Sequence, residues 1–288
     1  SVDLASGQEK DLTPLEGVAA QVQEVSKKFP TEILVALNNR DPQFHDVHRV
    51  NVETGKMSLV QQHPGAFEGG MITGFVTDDD YKIRFATRMN PDGSITVLQP
   101  DREKGWKKFL NIPMEDTLTS NPIGFDKSGQ TMYMTQSIGR DTAALVAIDL
   151  KTGEQKRIAE DKRADVRDIM VHPTEKTIDA VAFNYERKHW KALDKSVAAD
   201  FDALEKLHNG DVEVVSRSLD DKLWVVAFVT DSGPIGFHLW DRTTKKARFL
   251  FTNRRALEGY RLAPMRTVVI KSRDGLDLVC YLSLPVDS

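Results

Sequence analysis

The sequence predicts an all-β fold of the β-propeller class. Three observations predict it: a repeat about 48 residues long, a glycine turn at a fixed place in that repeat, and short strands of β-forming residues between turn signals. Val2-Asp3-Leu4-Ala5-Ser6-Gly7-Gln8 returns as Val50-Asn51-Val52-Glu53-Thr54-Gly55-Lys56 and again as Ile148-Asp149-Leu150-Lys151-Thr152-Gly153-Glu154. Gly7 and Gly55 stand 48 positions apart, and Gly55 and Gly153 stand 98 apart, which is two periods. The copy between them has its first strand at 94–98, its turn at Gly105 and its second strand at 106–112; a degenerate copy covers 237–251.

Each blade of such a fold holds four antiparallel strands, a to d from the axis outward. The first set reads 17–25, 32–38, 47–52 and 57–61, and the second 71–76, 82–88, 94–98 and 106–112. The third reads 122–125, 131–136, 144–150 and 155–158; the fourth begins with 168–171 and 177–183; the fifth reads 212–217, 223–229, 237–241 and 247–251. The turns between a and b are marked by Pro30-Thr31, Asp78-Asp79-Asp80, Asp126-Lys127-Ser128-Gly129, His172-Pro173-Thr174 and Asp220-Asp221, residues that favour tight turns for local backbone reasons. The b strands are rich in Val, Ile, Phe and Trp, as strands packed between neighbouring blades require.

The fourth blade is interrupted. Val197, Phe201, Leu204 and Leu207 are spaced 4, 3 and 3 apart, a helical stripe that Ser196 can cap and His208-Asn209-Gly210 can end. One helix near 196–208 is therefore expected in the loop after strand b. It is either a lid or interdomain contact, or a surface insertion packed on its own blade.

Composition narrows the function. A net charge of -4 over 288 residues leaves no basic footprint for nucleic acid, and no apolar run is long enough for a membrane helix. Cys280 is the single cysteine, so no internal disulfide and no cysteine metal cluster is expected. The compartment stays open, and a cytosolic one is compatible.

Both ends depart from the repeat. Residues 1–12 supply only strands c and d of a blade, half of one. Residues 267–271, the Arg273-Asp274-Gly275 turn and 276–284 form a hairpin that cannot bury a core of its own. The expectation is an incomplete propeller of about five four-stranded blades plus a half blade over 1–263. A linker and the opening hairpin of a further domain follow over 264–288. The unpaired edges of such an array invite self-association.

These residues carry a family resemblance. Asn39-Arg40-Asp41-Pro42, His45-Asp46-Val47-His48-Arg49-Val50, the Thr54-Gly55 turn, and Arg273-Asp274-Gly275-Leu276 leading to Tyr281-Leu282-Ser283-Leu284-Pro285 resemble the prolyl oligopeptidase family of serine peptidases, in its acylaminoacyl-peptidase-like branch. The resemblance implies that a propeller precedes an α/β-hydrolase peptidase domain, covers its active site and admits only short peptides, and that the parent protein hydrolyses short peptides or acyl-peptides. It makes that catalytic domain and short peptide substrates the expected partners. It also implies that the serine, aspartate and histidine of the triad lie beyond Ser288. In agreement, no Gly-x-Ser-x-Gly nucleophile elbow occurs in the chain, and Asp231-Ser232-Gly233-Pro234-Ile235-Gly236 has the wrong spacing and reads as a turn. The chain alone is expected to be inactive, with no catalytic residue, cofactor or metal of its own. A free-standing partner-binding propeller, TolB-like or WD-repeat-like, is the alternative.

The remaining residues offer few further sites. His45 and His48 are spaced i, i+3, but in a loop and strand start rather than on a helix face. Asp78-Asp79-Asp80 is either a cation site or a solvated turn. The b-to-c loops and the d-to-a connections share one face of a propeller, so the chain leaves its last blade on that face. On it, Arg40 and His45 are the candidate substrate or interdomain residues. Arg40 either pairs a substrate or domain carboxylate, or forms a local salt bridge with Asp41 or Asp46.

Overall fold

The computed structural model describes residues 1–286. The last two residues of the 264–288 segment, Asp287 and Ser288, lie outside them. The architecture is that of a β-propeller: five small antiparallel sheets in series, one helix, and a separate terminal hairpin. The chain divides into two compact units, Ser1–Gly124 and Phe125–Ser288.

In the first unit, β1 (Ala20–Val25), β2 (Glu32–Asp41), β3 (Phe44–Asn51) and β4 (Met57–Gln61) form a sheet in sequence order. The second sheet is β6 (Gly70–Thr77), β7 (Ile83–Met89), β8 (Ile95–Asp101) and β9 (Gly105–Ile112), with a fifth short strand, β5 (Ala66–Phe67), added beside β6. Leu34 and Val47 of the first sheet pack on Tyr81, Phe75 and Ile83 of the second. Each such side chain removed from water contributes about 1.5–3 kcal/mol. The buried Tyr81 hydroxyl donates to the Glu32 carbonyl at 2.7 Å and accepts from the Ser26 N–H at 3.0 Å, so the only polar atom of that side chain is satisfied. The half blade reduces to one isolated bridge between Val2 and Glu9, anchored by Lys10 Nζ on the Glu53 carbonyl.

The boundary between the units falls in β10 (Asn121–Phe125), the first strand of a sheet completed by β11 (Thr131–Gln136), β12 (Ala144–Asp149) and β13 (Gln155–Ala159). The fourth sheet has three strands: β14 (Val166–Val171), β15 (Ile178–Asn184) and β16 (Lys188–Ala192). Helix α1 (Lys195–Leu207) follows. Then come the fifth sheet, β17 (Asp211–Arg217), β18 (Leu223–Val229), β19 (Gly236–Asp241) and β20 (Lys246–Thr252), and the hairpin β21 (Met265–Lys271) with β22 (Asp277–Ser283).

The helix lies where its spacing predicts, but its place in the blade differs from the expectation. It follows a third strand rather than strand b, and packs against β16 and β17. The reason is that β16, Lys-His-Trp-Lys-Ala, has one large apolar residue; its strand character comes from its ladder with β15, in which Ala182 faces Trp190. Val197, Phe201 and Leu204 of α1 enter one core with Trp190, Val212, Trp224, Phe228 and Trp240. Leu207, the fourth residue of the stripe, stays 50% exposed. The cap is Asp194, whose Oδ1 accepts the Ser196 N–H at 2.7 Å.

The repeated turn has one physical cause. At each copy an Asx side chain accepts the backbone N–H groups two and three residues on: Asp3, Asn51, Asp101, Asp149 and Asp241 all do so. The next residue takes a left-handed conformation, with φ +78° at Gly55 and +76° at Gly153, where glycine avoids a Cβ clash. In the degenerate copy Lys245 holds that place at φ 53°, and its ammonium pairs with the fully buried Asp200 carboxylate of α1. A tertiary contact there outweighs the local preference. Among the described residues, no helix is long and apolar enough to cross a membrane.

Candidate functional site

Arg40 and His45 flank the tip of the β2–β3 hairpin, which closes at Pro42-Gln43 with Asp41 opposite Phe44. The expected loop 39–46 is thus mostly strand. The Arg40 side chain, 40% exposed, grips Asp46, whose own side chain is only 3% exposed. Nε donates to Oδ2 at 2.7 Å and Nη2 to Oδ1 at 2.9 Å, while Nη2 also donates to the His63 carbonyl at 3.2 Å. This fork-to-fork pairing holds the Asp46 carboxyl below the usual carboxylate range, against burial, which acts the other way. Of the alternatives for Arg40, the salt bridge with Asp46 is the one formed, and its Nη1 makes no bond within the described residues.

The same carboxylate accepts the His63 N–H at 2.7 Å, and the His63 ring accepts the Gly65 N–H at 3.0 Å. The His63 ring stacks on Phe44 at 4.9 Å and stays neutral more readily than usual, chiefly because burial disfavours its charged form. Arg40, Asp46 and His63 therefore act as one clamp that ties the hairpin tip to the Gln62–Gly65 connection. The sequence names Arg40 and its pairing with Asp46 as an alternative, but not His63. Its signal, a His-Pro-Gly turn, becomes meaningful only once the turn is known to lie beside Asp46. His45 takes no part in the clamp, and its Nε2 is shielded from solvent without a hydrogen-bond partner. His48 Nδ1 lies 3.1 Å from the Asp46 carbonyl oxygen.

In the second unit the corresponding loops meet the terminal hairpin. The Tyr281 hydroxyl donates to the Glu186 carbonyl at 2.8 Å, in the β15–β16 turn, and the Met265 N–H donates to the Asp231 carboxylate, in the β18–β19 loop. That bond holds the Asp231 carboxyl below its ordinary range. Beside these contacts a recess of about 210 Å³ is lined by Arg187 of the β15–β16 turn, the first residues of β16, the end of α1 with the turn after it, and the start of β17. Arg187 bonds Asp211 there at 2.9 Å, and Lys188 pairs with Asp168 and Glu213. These charges are matched locally.

The chemistry of the remaining clusters is structural. His172, Asp179 and Asp221 bring three ligand-type atoms within 4.8 Å of one another. Both carboxylates, however, are held by arginines: Arg217 Nη2 donates to Asp179 at 2.7 Å and Nε to Asp221 at 2.6 Å, and Arg242 pairs with Asp221. Burial alone would raise the Asp221 carboxyl; hydrogen bonds from Arg217 and Trp224 outweigh it and keep it low. Two guanidiniums occupy the positions a cation would need. His172 Nδ1 accepts the Thr174 and Glu175 N–H groups at 3.2 and 3.1 Å, as the Asp78 side chain accepts the Asp80 N–H at 3.0 Å in its own turn. Asp78 and Asp80 are neutralised by Arg84 and Lys28 at 2.9 and 2.6 Å, which favours the turn reading over a cation site.

No family model matches the chain. Among curated proteins it is similar to dipeptidyl aminopeptidase BIII of Pseudoxanthomonas mexicana, 42% identical over 285 residues, which cover 99% of this chain and 41% of that one. It is also similar to dipeptidyl peptidase family member 6 of Caenorhabditis elegans, 28% identical over 263 residues, 88% of this chain and 35% of that one. The chain thus spans about two fifths of the length of the curated relatives it matches. Among solved structures, prolyl oligopeptidase B from Galerina marginata aligns with a TM-score of 0.54 at 13% identity, covering 89% of this chain and 37% of that one, and shares the fold.

Proposed function

We propose that this chain, which belongs to the prolyl oligopeptidase family, is the non-catalytic propeller of a serine peptidase that gates and selects its short peptide substrates. One observation carries the reading: the Arg273-Asp274-Gly275 hairpin, with which a following domain would begin, is hydrogen-bonded to the loops of the fourth and fifth sheets. On this reading 1–263 is the propeller, and 264–288 opens a catalytic α/β-hydrolase domain that supplies the triad. The names of the relatives, a dipeptidyl aminopeptidase and a dipeptidyl peptidase family member, support removal of dipeptides; on this reading the chemistry is acyl transfer to the serine of the following domain. The free-standing TolB-like or WD-repeat-like alternative loses support, because relatives matching almost the whole chain are named as peptidases.

Arg40 and His45 then belong to the substrate or interdomain face. Arg40 contributes its unbonded Nη1, held in place by Asp46, to a peptide or domain carboxylate. The test uses the gene product that carries this sequence. Dipeptidyl p-nitroanilides are expected to be cleaved, N-acetylation of the substrate to suppress cleavage, and activity to fall steeply with peptide length. Arg40→Ala is expected to lower kcat/KM beyond any change in Tm. A fluorophosphonate probe that labels a serine within residues 1–288 would overturn the non-catalytic assignment. An unchanged kcat/KM would remove Arg40 from the site.

A further inference from the structure

His63 uses its ring as a hydrogen-bond acceptor. Its Nδ1 faces the Gly65 N–H at 3.0 Å, so that nitrogen carries the lone pair and the ring proton sits on Nε2. The residue is 8% exposed, its ring stacked on Phe44 at 4.9 Å and set edge-on to Phe75 at 5.6 Å. The main chain of the same residue closes the clamp: its N–H donates to Asp46, and its carbonyl accepts Arg40 Nη2. The turn that the ring holds and the bonds that fix the β2–β3 hairpin tip thus meet in one residue. His48 provides the contrast. Its Nδ1 lies against the Asp46 carbonyl oxygen, so it donates, and a second ring proton leaves that bond intact.

From this geometry we infer that His63 is an acid-operated release: a proton on Nδ1 breaks its bond to Gly65 and frees residues 62–65 from the hairpin tip. Protonated Nδ1 is a donor, and it meets a second donor, the Gly65 N–H, at hydrogen-bond distance. Phe44 and Phe75 hold the ring, so the turn is the part that moves. Burial disfavours the imidazolium most; of the charges around the ring, Asp46 favours it, while Arg40 and His45 disfavour it. The ring is therefore neutral above its ordinary value of 6.5, and the release lies below it: the bond is present at higher pH and lost as pH falls. The Arg40–Asp46 fork survives, because pairing holds the Asp46 carboxyl low and the Arg40 guanidinium high. The inference stands on contacts within the first unit and is independent of any peptidase activity.

The experiment is hydrogen–deuterium exchange on the whole chain at pH 7.5 and 5.5, corrected for the intrinsic pH dependence of amide exchange. Nitrogen NMR of the labelled imidazoles follows the protonation of His63 Nδ1 over the same range. In the unaltered protein, protection of the amides in 62–65 is expected to fall about tenfold at the lower pH, through the loss of one buried hydrogen bond. Protection of 33–37, inside β2, should stay within about twofold. His63→Asn keeps a side-chain acceptor without a titrating group and should lose the response, whereas His48→Asn should keep it. A His63 ring that protonates with no loss of protection in 62–65 overturns the inference, as does one that stays neutral at pH 5.5. So does an undiminished response in His63→Asn. The first two readings use the unaltered chain, so the test holds even where a variant fails to fold.

Discussion

Replacing Phe201 by alanine tests whether α1 is a structural part of its blade or a lid resting on it. The ring is 3% exposed and sits between Trp190, 5.3 Å away and stacked at 16°, and Trp224, 6.0 Å away and tilted at 51°. Removing it forfeits about 2–3 kcal/mol of burial. The neighbours are large, rigid rings that cannot collapse into the space, so a cavity adds to the cost, for a total of about 3–5 kcal/mol. For a unit of this size that corresponds to a fall in Tm of about 10 °C. The assay is chemical denaturation followed by tryptophan fluorescence, since Trp190, Trp224 and Trp240 all belong to this core. Asp202→Ala, on the exposed face of the same helix, should leave the midpoint unmoved. A loss below about 1 kcal/mol for Phe201→Ala would refute the packing argument and restore the lid.

Two further outcomes follow from buried charges. His238 is pulled below its ordinary value of 6.5, first by burial, and its Nδ1 is buried without a partner; His63 is also lowered, chiefly by burial. A depressed histidine favours the neutral folded state, so stability is full above pH 6.5 and falls as pH drops below it, where the unfolded chain takes up the proton first. A Tm–pH profile between 7.5 and 5 should slope downward to acid, and His238→Phe should flatten it; an unchanged slope contradicts the assignment. Lys245→Gly relieves a left-handed lysine at φ 53° but leaves Asp200, fully buried, with Arg242 and Trp240 alone. A net loss of about 1–2 kcal/mol in a denaturant melt is expected, because breaking a buried pair outweighs the relief; a gain would show that the pairing is idle.

The sequence by itself determined whatever is local. The Asx turn is written in Asp149 to Gly153 because one side chain and the next few amides suffice to form it. The b strands and the helical stripe of α1 are legible because periodicity records which face meets a core. The RDG hairpin is legible from its Asp-Gly tip.

Only the tertiary structure decided what depends on partners distant in the chain. β16 became a strand because β15 lay beside it, and α1 therefore follows three strands instead of two. Lys245 stands at the left-handed position that glycine holds in the other copies, and its ammonium pairs with Asp200, in a helix 45 positions earlier. Arg40 could have met Asp41, Asp46 or a ligand, and the register of β2 on β3 together with the His63 turn chose Asp46. Burial is the common cause: a charge taken out of water must find its partner in space, and sequence order does not record where that partner will be.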